Sequence, residues 1–176
     1  MNVIASKGIA GASVLEVGGG IGAIVVELLS RGAARALSVE LVPSYEDAAR
    51  QLLEERRLAD RVERRVLDFA RDGDDVPAAD IVVLHRVVCC YPDAPALVGA
   101  AAARARRTLA MTFPSDRWYW RAAVRIGNAV LRLRGNAFRA FVHKPGLIDR
   151  VAGEAGLRPV YGSAGIIWQT AVYQRV

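Results

Sequence analysis

The sequence contains very little cysteine. Its two cysteines, Cys89 and Cys90, are adjacent in a chain of 176 residues, and they lack the C-x-x-C spacing of zinc and redox sites. Neither a disulfide framework nor a metal site is therefore indicated. We expect both residues to serve as small hydrophobic side chains in the core.

Long apolar runs are also missing. No segment approaches the roughly 20 apolar residues that a membrane-spanning helix requires. The beginning of the chain lacks the charged start and apolar core of a signal peptide, which predicts a cytoplasmic protein. Hydrophobic residues nevertheless make up 53% of the chain, and its length fits one folded domain, residues 1–176.

Acidic residues are scarce in one segment. Residues 104–144 contain ten basic residues and a single acid, Asp116, whereas the rest of the chain has 14 basic and 17 acidic residues. Nearly all these basic residues are arginines, which bind carboxylates and phosphates in a fork geometry. A basic amphipathic helix here either contacts an anionic membrane surface through residues 117–139 or presents a solvated face while covering the core. Its apolar stripe consists of Trp118, Ala122, Ile126, Val130 and Leu133.

A mixed run of charges lies between residues 54 and 65. Arginines and glutamates intermingle there, which predicts a solvated surface held by salt bridges. The arginines assigned to this surface are Arg56, Arg57, Arg61, Arg64 and Arg65.

A glycine-rich turn follows the first apolar stretch. The residues SVLEV predict a buried strand, and the apolar helix expected after the turn runs from Ile21 to Arg31. A strand that passes through glycines into a helix forms a nucleotide pocket, because the backbone approaches the ligand closely and N–H groups face it. The glycines of the turn are Gly18, Gly19, Gly20 and Gly22.

The spacing of these glycines allows two functional interpretations. Gly18-x-Gly20-x-x-Ala23 fits the dinucleotide fingerprint of NAD-binding oxidoreductases. Glu16-x-Gly18-x-Gly20-x-Gly22 places an acid before the glycines, and it resembles the first motif of the class I S-adenosylmethionine (SAM)-dependent methyltransferases. An acid at this point suits the ammonium group of SAM and suits a pyrophosphate poorly. A glycine-rich turn without any ligand is the remaining alternative.

Strands and helices are predicted to alternate along the rest of the chain. The final two strands are expected to form a hairpin, which resembles the antiparallel end of the methyltransferase sheet. A dehydrogenase would more often continue with another β-α unit. We therefore expect an α/β, Rossmann-like sheet of seven mostly parallel strands, with an antiparallel terminal strand and helices on both faces. After the first strand, the predicted strands are Ala36–Leu41, Val62–Leu67, Asp80–Leu84, Thr108–Phe113, Arg158–Gly162 and Trp168–Gln174.

Acidic residues stand at the ends of two predicted strands. Glu40 ends the second strand, where a carboxylate can accept hydrogen bonds from both ribose hydroxyls, and a solvated glutamate is the alternative. The resemblance implies that Asp68 meets the adenine amino group and that Phe69 packs against the ring. A loop-capping Asp68 beside a core Phe69 is the alternative. The implied cofactor residues are Glu16, Gly18, Gly19, Gly20, Gly22, Glu40, Leu41, Asp68, Phe69 and His85.

Three side chains are candidates for a general base: His85, Tyr91 and His143. His85 follows the fourth strand at its carboxyl end, where open α/β sheets bind ligands, and its backbone can instead hold the SAM amino group. His143 lies in an inserted basic helix and loop, residues 115–144, which the resemblance places over the acceptor site. Histidine titrates near neutral pH, and a structural hydrogen bond is the alternative role for each histidine.

Within the superfamily, the sequence looks most similar to the magnesium-protoporphyrin O-methyltransferase group. The similarity rests on V-L-E-V-G-G-G-I-G, Tyr91-Pro92, the basic insertion reaching F-V-H, and Trp168-Gln169. It implies SAM as the cofactor and methylation of a small, anionic and partly apolar acceptor, with oxygen favoured. No N-P-P-Y-like tetrapeptide follows the fourth strand, and aromatic residues are thinly interleaved with the arginines, which disfavours a nucleic acid as the acceptor. An NAD-binding oxidoreductase and a non-catalytic or membrane-surface binding module remain the alternatives.

Overall fold

The structure, a computed structural model, describes residues 8–176. The predicted absence of a signal peptide and the start of the predicted domain 1–176 concern residues 1–7, which lie outside the described residues. The strands are β1 (Ser13–Val17), β2 (Arg35–Glu40), β3 (Val62–Val66), β4 (Ala79–His85), β5 (Ala105–Pro114), β6 (Leu157–Ala164) and β7 (Trp168–Arg175). The helices are α1 (Ala23–Ser30), α2 (Glu46–Glu55), α3 (Phe69–Asp72), α4 (Ala94–Arg104), α5 (Trp118–Leu133) and α6 (Pro145–Glu154).

All seven strands form one sheet in the order β3-β2-β1-β4-β5-β7-β6. Strands β1 to β5 pair in parallel, whereas β7 runs antiparallel to both of its neighbours, β5 and β6. The predicted fold class is thus confirmed. Strands β2 and β3 lie on one side of β1, and β4 and β5 lie on the other. The carboxyl ends of β1 and β4 therefore flank a topological switch point, where sheets of this kind bind ligands.

Alternating side chains of the strands bury both faces of the sheet. On one face, Leu15 and Val17 pack in a cluster with Leu97 of α4 and Ile148 of α6. On the other face, Val14 and its neighbours pack against Val25 and Leu28 of α1. This alternation follows from the period of two in a strand, and it accounts for helices on both faces.

The start of β5 differs from the prediction, which began the strand at Thr108. The helix ends at Arg104, and the strand begins at Ala105. Ala105 is buried opposite Ala79 of β4, and its carbonyl oxygen accepts a hydrogen bond from Arg175 (3.0 Å). These long-range contacts extend the strand through arginines that carry no local strand signal.

Helix α5 lies outside the layers of the sheet, and none of its residues is buried. Its inner side is attached through Trp120, whose Nε1 donates to the carbonyl oxygen of Ile167 (2.9 Å). Asn128 adds two hydrogen bonds to the backbone of Ala140, of 2.8 and 3.0 Å. The helix therefore rests on the rest of the protein through a narrow, largely polar contact.

The apolar stripe predicted for α5 faces outward. Trp118 is 74% exposed and Leu133 is 87% exposed, and Ile126 and Val130 are exposed as well. The alternative in which this helix covers the core while it presents a solvated face is therefore wrong for its apolar side. Across residues 8–176, no helix has the length and apolarity needed to span a membrane.

Candidate functional site

The glycine turn after β1 is closely packed at two positions. Gly18 has a φ of +69°, and a Cβ there would lie 2.3 Å from Cγ2 of Val87. A Cβ on Gly19 would lie 2.5 Å from the Ser38 hydroxyl and 2.6 Å from a Glu16 carboxylate oxygen. Both contacts are far too short for any side chain, so the turn requires glycine at these positions.

Glu40 at the end of β2 links that strand to the glycine turn. One carboxylate oxygen accepts a hydrogen bond from the Gly20 amide (2.7 Å). The other accepts from the amides of Leu41 (2.8 Å) and Val42 (3.1 Å). A carboxylate has about four acceptor positions, so Glu40 retains capacity for a ligand hydroxyl while it holds the turn.

A row of polar side chains crosses three strands behind the turn. Glu16 of β1 lies opposite Ser38 of β2, which lies opposite Arg64 of β3. Arg64 donates to the Ser38 hydroxyl (3.2 Å), to the Gly20 carbonyl oxygen (2.9 Å) and to Glu46 of α2 (2.7 Å). Its side chain is only 9% exposed, so the prediction of a solvated surface is wrong for Arg64. The sequence held one sign of this polar row, since Ser38 and Arg64 are polar residues within segments that otherwise resemble strands. Only the strand register, however, shows that the two residues lie side by side.

Glu16 is the most deeply buried acid of this row, with 1% exposure. Burial raises its pKa to about 8, and the positive charge of nearby Arg64 opposes this effect. One of its oxygens, Oε2, has no hydrogen-bond partner within the described part of the chain. The carboxyl group lies next to Gly19 and lines neither of the two cavities described below. Glu16 is therefore located behind the glycine turn.

A cavity of about 230 Å³ opens at the carboxyl ends of β1 and β2. It brings together several residues that the sequence assigned to the cofactor: Gly18, Glu40, Leu41, Asp68 and Phe69. The candidate base Tyr91 lies here as well. Val87, Cys90 and Phe138 line the cavity as well, and the sequence did not assign them to the cofactor, since apolar lining side chains carry no motif.

Asp68 caps the short helix α3, where it accepts a hydrogen bond from the Ala70 amide (3.2 Å). Its two oxygens also accept from the Tyr91 hydroxyl at 2.9 and 3.1 Å. Burial raises the pKa of Tyr91, and the hydrogen bond to Asp68 adds to this effect. Tyr91 therefore stays protonated near neutral pH and acts as a donor to Asp68. Phe69 is buried against the core.

The loop after α5 lies against the segment that follows β4. The Phe141 amide donates to the carbonyl oxygen of Cys89 (2.7 Å), and Nε2 of His143 lies 3.2 Å from the carbonyl oxygen of Tyr91. The rings of Phe141 and His143 are stacked, with centroids 5.9 Å apart. Two candidate bases, Tyr91 and His143, therefore lie together.

The third candidate base, His85, faces a second cavity of about 340 Å³ on the sheet face that carries α1. Its neighbours there include Arg86, Thr112 and Trp168. Burial lowers the pKa of His85, and the charge of Arg86 lowers it further. The imidazole is thus neutral near pH 7, the form that accepts a proton.

Comparison with solved structures shows what the fold is similar to. Magnesium protoporphyrin IX methyltransferase from Synechocystis PCC 6803, solved with SAH bound, superposes with a TM-score of 0.79 at 20% identity, over 99% of this chain and 78% of that chain. An O-methyltransferase family protein from Burkholderia thailandensis gives a TM-score of 0.78 at 23% identity, over 99% and 54% of the two chains. An O-methyltransferase family 2 protein from Planctomyces limnophilus, in complex with apigenin, gives 0.73 at 20% identity, over 95% and 50%.

No family model matches the sequence, and no curated protein matches it significantly. The architecture agrees with that of the structural neighbours, because β7 lies between β5 and β6 and runs antiparallel to both. The chain has the fold of the SAM-dependent methyltransferases.

Proposed function

We propose that the protein is a SAM-dependent methyltransferase that acts on a small, anionic and partly apolar acceptor, with oxygen as the favoured methylated atom. The observation that carries this proposal is the cavity at the ends of β1 and β2. There a tightly packed glycine turn, Glu40 and Asp68 converge at the switch point of a methyltransferase fold. When bound, SAM would supply an electrophilic methyl group on its sulfonium.

The residues around this cavity fit the nucleoside part of SAM, its ribose and its adenine. Glu40 has acceptor capacity for a ribose hydroxyl, and the Asp68 carboxylate can accept from the adenine amino group. Leu41 and Phe138 provide apolar walls beside them. Glu16 and Arg64 would act through the turn, because they support its backbone from behind and do not line the cavity.

Isothermal titration calorimetry of the full chain tests this proposal. We expect S-adenosylhomocysteine (SAH), the demethylated product of SAM, to bind with a measurable heat, and NADH to bind weakly or not at all. Binding of NADH in preference to SAH would contradict the proposal and favour the oxidoreductase alternative. No heat with either nucleotide at high micromolar concentration would favour the non-catalytic alternative.

Residues 115–144 are proposed to cover the acceptor. Their contacts with the segment after β4 support this role, since Phe141 bonds to Cys89 and Phe138 reaches the cavity. In a methyl transfer, the protein chiefly positions the acceptor and excludes water. An inserted segment at the mouth of the cavity suits both tasks.

His85 is the proposed general base where the acceptor must lose a proton, because it is neutral and faces open space. His143 is the alternative, although its Nε2 lies next to a backbone carbonyl. An acceptor is first identified by transfer of a labelled methyl group from SAM. With this acceptor, we expect His85→Ala to lower kcat/KM and to leave the affinity for SAH unchanged. An equal loss of SAH affinity would assign His85 to the cofactor instead.

A second candidate function, contact with an anionic membrane surface, is favoured by the outward stripe of α5. Trp118, Ile126 and Leu133 are exposed along one side of the helix. By spacing on the helix, Arg121, Arg125 and Arg132 lie beside this stripe. An exposed apolar stripe beside cationic side chains matches the surface of a bilayer that contains anionic lipid.

Vesicle co-sedimentation distinguishes this contact from a merely solvated helix. We expect the protein to bind vesicles that contain the anionic lipid phosphatidylserine, and not vesicles of pure phosphatidylcholine. Leu133→Asp should weaken this binding, and Ile166→Asp, a change of an equally exposed residue outside α5, should not. Equal binding of both variants, or no binding at low salt, would contradict the membrane contact.

A further inference from the structure

Arg86, the residue directly after β4, has an unusual backbone conformation. Its φ is +59°, in the left-handed region that side chains other than glycine rarely adopt. Its amide donates to the carbonyl oxygen of Thr112 (2.9 Å), and its own carbonyl oxygen accepts from the Cys89 thiol (3.3 Å). Non-glycine residues in this region persist where the surroundings hold them, often at ligand sites. The chain is therefore held in a form that directs the Arg86 side chain toward the second cavity.

Within residues 8–176, the guanidinium of Arg86 carries a charge without a counterion. Its Cζ lies 4.8 Å from the ring centroid of Trp168, which covers one face of the group. No acidic side chain forms an ion pair with it anywhere in residues 8–176. The N–H groups at the edge of the guanidinium remain suited to bind an anion in a fork geometry.

The cavity next to Arg86 suits a ligand with one anionic end and an apolar body. No acid is among its lining residues. Thr112, Ser163 and Thr170 contribute hydroxyl groups to its lining, and Val83 and Val172 contribute apolar side chains. The neighbouring histidine is neutral, so a single positive charge faces the cavity, which matches a carboxylate better than a doubly charged phosphate.

We propose that Arg86, stacked on Trp168, binds a carboxylate group at the mouth of this cavity. The inference rests on the proposed function, and it names a residue that determines specificity. The carboxylate belongs either to the acceptor or to the amino-acid end of SAM, because both would reach the carboxyl edge of β4. In either case, Arg86 binds the group through its guanidinium and Trp168 holds the guanidinium in place.

Calorimetry with two nucleosides distinguishes the two sources of the carboxylate. SAH carries a carboxylate, whereas 5′-methylthioadenosine shares its nucleoside and lacks the amino-acid end. If the cofactor supplies the group, Arg86→Gln should weaken SAH about 10- to 100-fold, as expected for a lost charged hydrogen bond, and leave 5′-methylthioadenosine unchanged. Arg150→Gln, which removes an exposed arginine of α6, is the control and should change neither affinity.

Ligand-detected NMR with benzoate tests the acceptor as the source. Benzoate and its neutral analogue benzamide are titrated into the protein, with and without saturating SAH. If the acceptor supplies the carboxylate, the protein should prefer benzoate, and Arg86→Gln should remove the preference without changing SAH affinity. If no nucleoside binds but benzoate does, the proposed function fails while the carboxylate site at Arg86 is still supported. The two failures are therefore distinguishable.

Arg86→Gly guards against a folding artefact, because glycine adopts φ +59° freely. It should match Arg86→Gln in every binding measurement. Two results would together overturn the proposal. Arg86→Gln would bind SAH as tightly as the wild type does, and the wild type would not prefer benzoate over benzamide. A loss caused by Arg86→Gln but absent in Arg86→Gly would overturn it as well.

Discussion

Arg64 of β3 donates a hydrogen bond of 2.9 Å to the carbonyl oxygen of Gly20, and so it holds the glycine turn from behind. The same guanidinium binds Glu46 at the start of α2. On the opposite side, Glu40 holds the amide of Gly20. One peptide segment of the turn is thus fixed by side chains from two neighbouring strands, which prepares its backbone for a ligand before the ligand arrives.

Replacement of Arg64 by Met should destabilise the protein and weaken nucleotide binding together. The change leaves Glu46, Ser38 and the Gly20 carbonyl oxygen without a donor, and a lost charged hydrogen bond costs about 2 kcal/mol. Urea denaturation measures the free energy of unfolding, and calorimetry with SAH measures binding. The adjacent variant Arg65→Met removes an exposed pair with Glu63 and should cost under about 0.5 kcal/mol. Similar losses for the two variants would refute this role of Arg64.

The buried carboxyl of Glu16 should make stability depend on pH. Its pKa is about 8 in the folded protein and 4.5 when exposed, so the folded state binds more protons than the unfolded state between these values. The contribution of Glu16 is therefore full below pH 4.5 and is lost as the pH rises toward 8. The loss amounts to at most about 5 kcal/mol, at about 1.4 kcal/mol for each pKa unit.

Glu16→Gln isolates this effect from the other titrating groups. We expect the unfolding free energy of the wild type to fall relative to the variant between pH 5 and 8, measured by denaturation in a series of buffers. The glutamine has the same shape and carries no charge to desolvate. Parallel pH profiles for the two proteins would show that Glu16 is ionised in the fold throughout this range.

Glu40→Ala should weaken SAH binding by roughly 1–3 kcal/mol, the range for a buried hydrogen-bonding group left without its partner. The variant removes acceptors for a ribose and also releases the Gly20 amide. Free adenine, which has no ribose, should be affected less than SAH. The exposed residue Glu54 on α2 supplies the control, Glu54→Ala, with unchanged affinity for both ligands. Equal losses for adenine and SAH would mean that Glu40 acts only through the turn.

The sequence was sufficient to predict the order of strands and helices, because local signals determine it. Glycines end β1, apolar runs form most of the parallel strands, and the last two strands follow a helix without a further β-α unit. The position of Glu40 at the edge of the cavity could be predicted for the same reason, since a strand end in such a sheet is a ligand position.

The predictions that were wrong concern residues whose environment depends on contacts between distant segments of the chain. Arg64 stands in a charged run, and only its register opposite Ser38 takes it beneath the turn. The stripe of α5 has the period of a buried helix, yet the helix uses Trp120 and Asn128 for its contacts and turns Trp118 outward. Periodicity identifies a helical face but not what that face contacts.

Cys90 should react with alkylating agents at an unusually low pH. Its thiol lies 3.6 Å from that of Cys89, and hydrogen bonding from Cys89 lowers the pKa of Cys90 to about 7, against 9.0 for an ordinary thiol. The same hydrogen bond raises the pKa of Cys89, and the burial of this residue adds to the effect. The thiolate is the reactive form, so iodoacetamide should modify Cys90 first, with a midpoint near pH 7 in a mass-spectrometric time course.

Two further measurements connect this reactivity to the cavity. Cys89→Ala removes the hydrogen bond and should move the midpoint of Cys90 upward, toward the ordinary value. Since Cys90 lines the same cavity as Glu40, SAH should slow its alkylation, whereas NADH should not. Simultaneous modification of both cysteines, or a midpoint of about 9 in the wild type, would show that the two thiols are not coupled in this way.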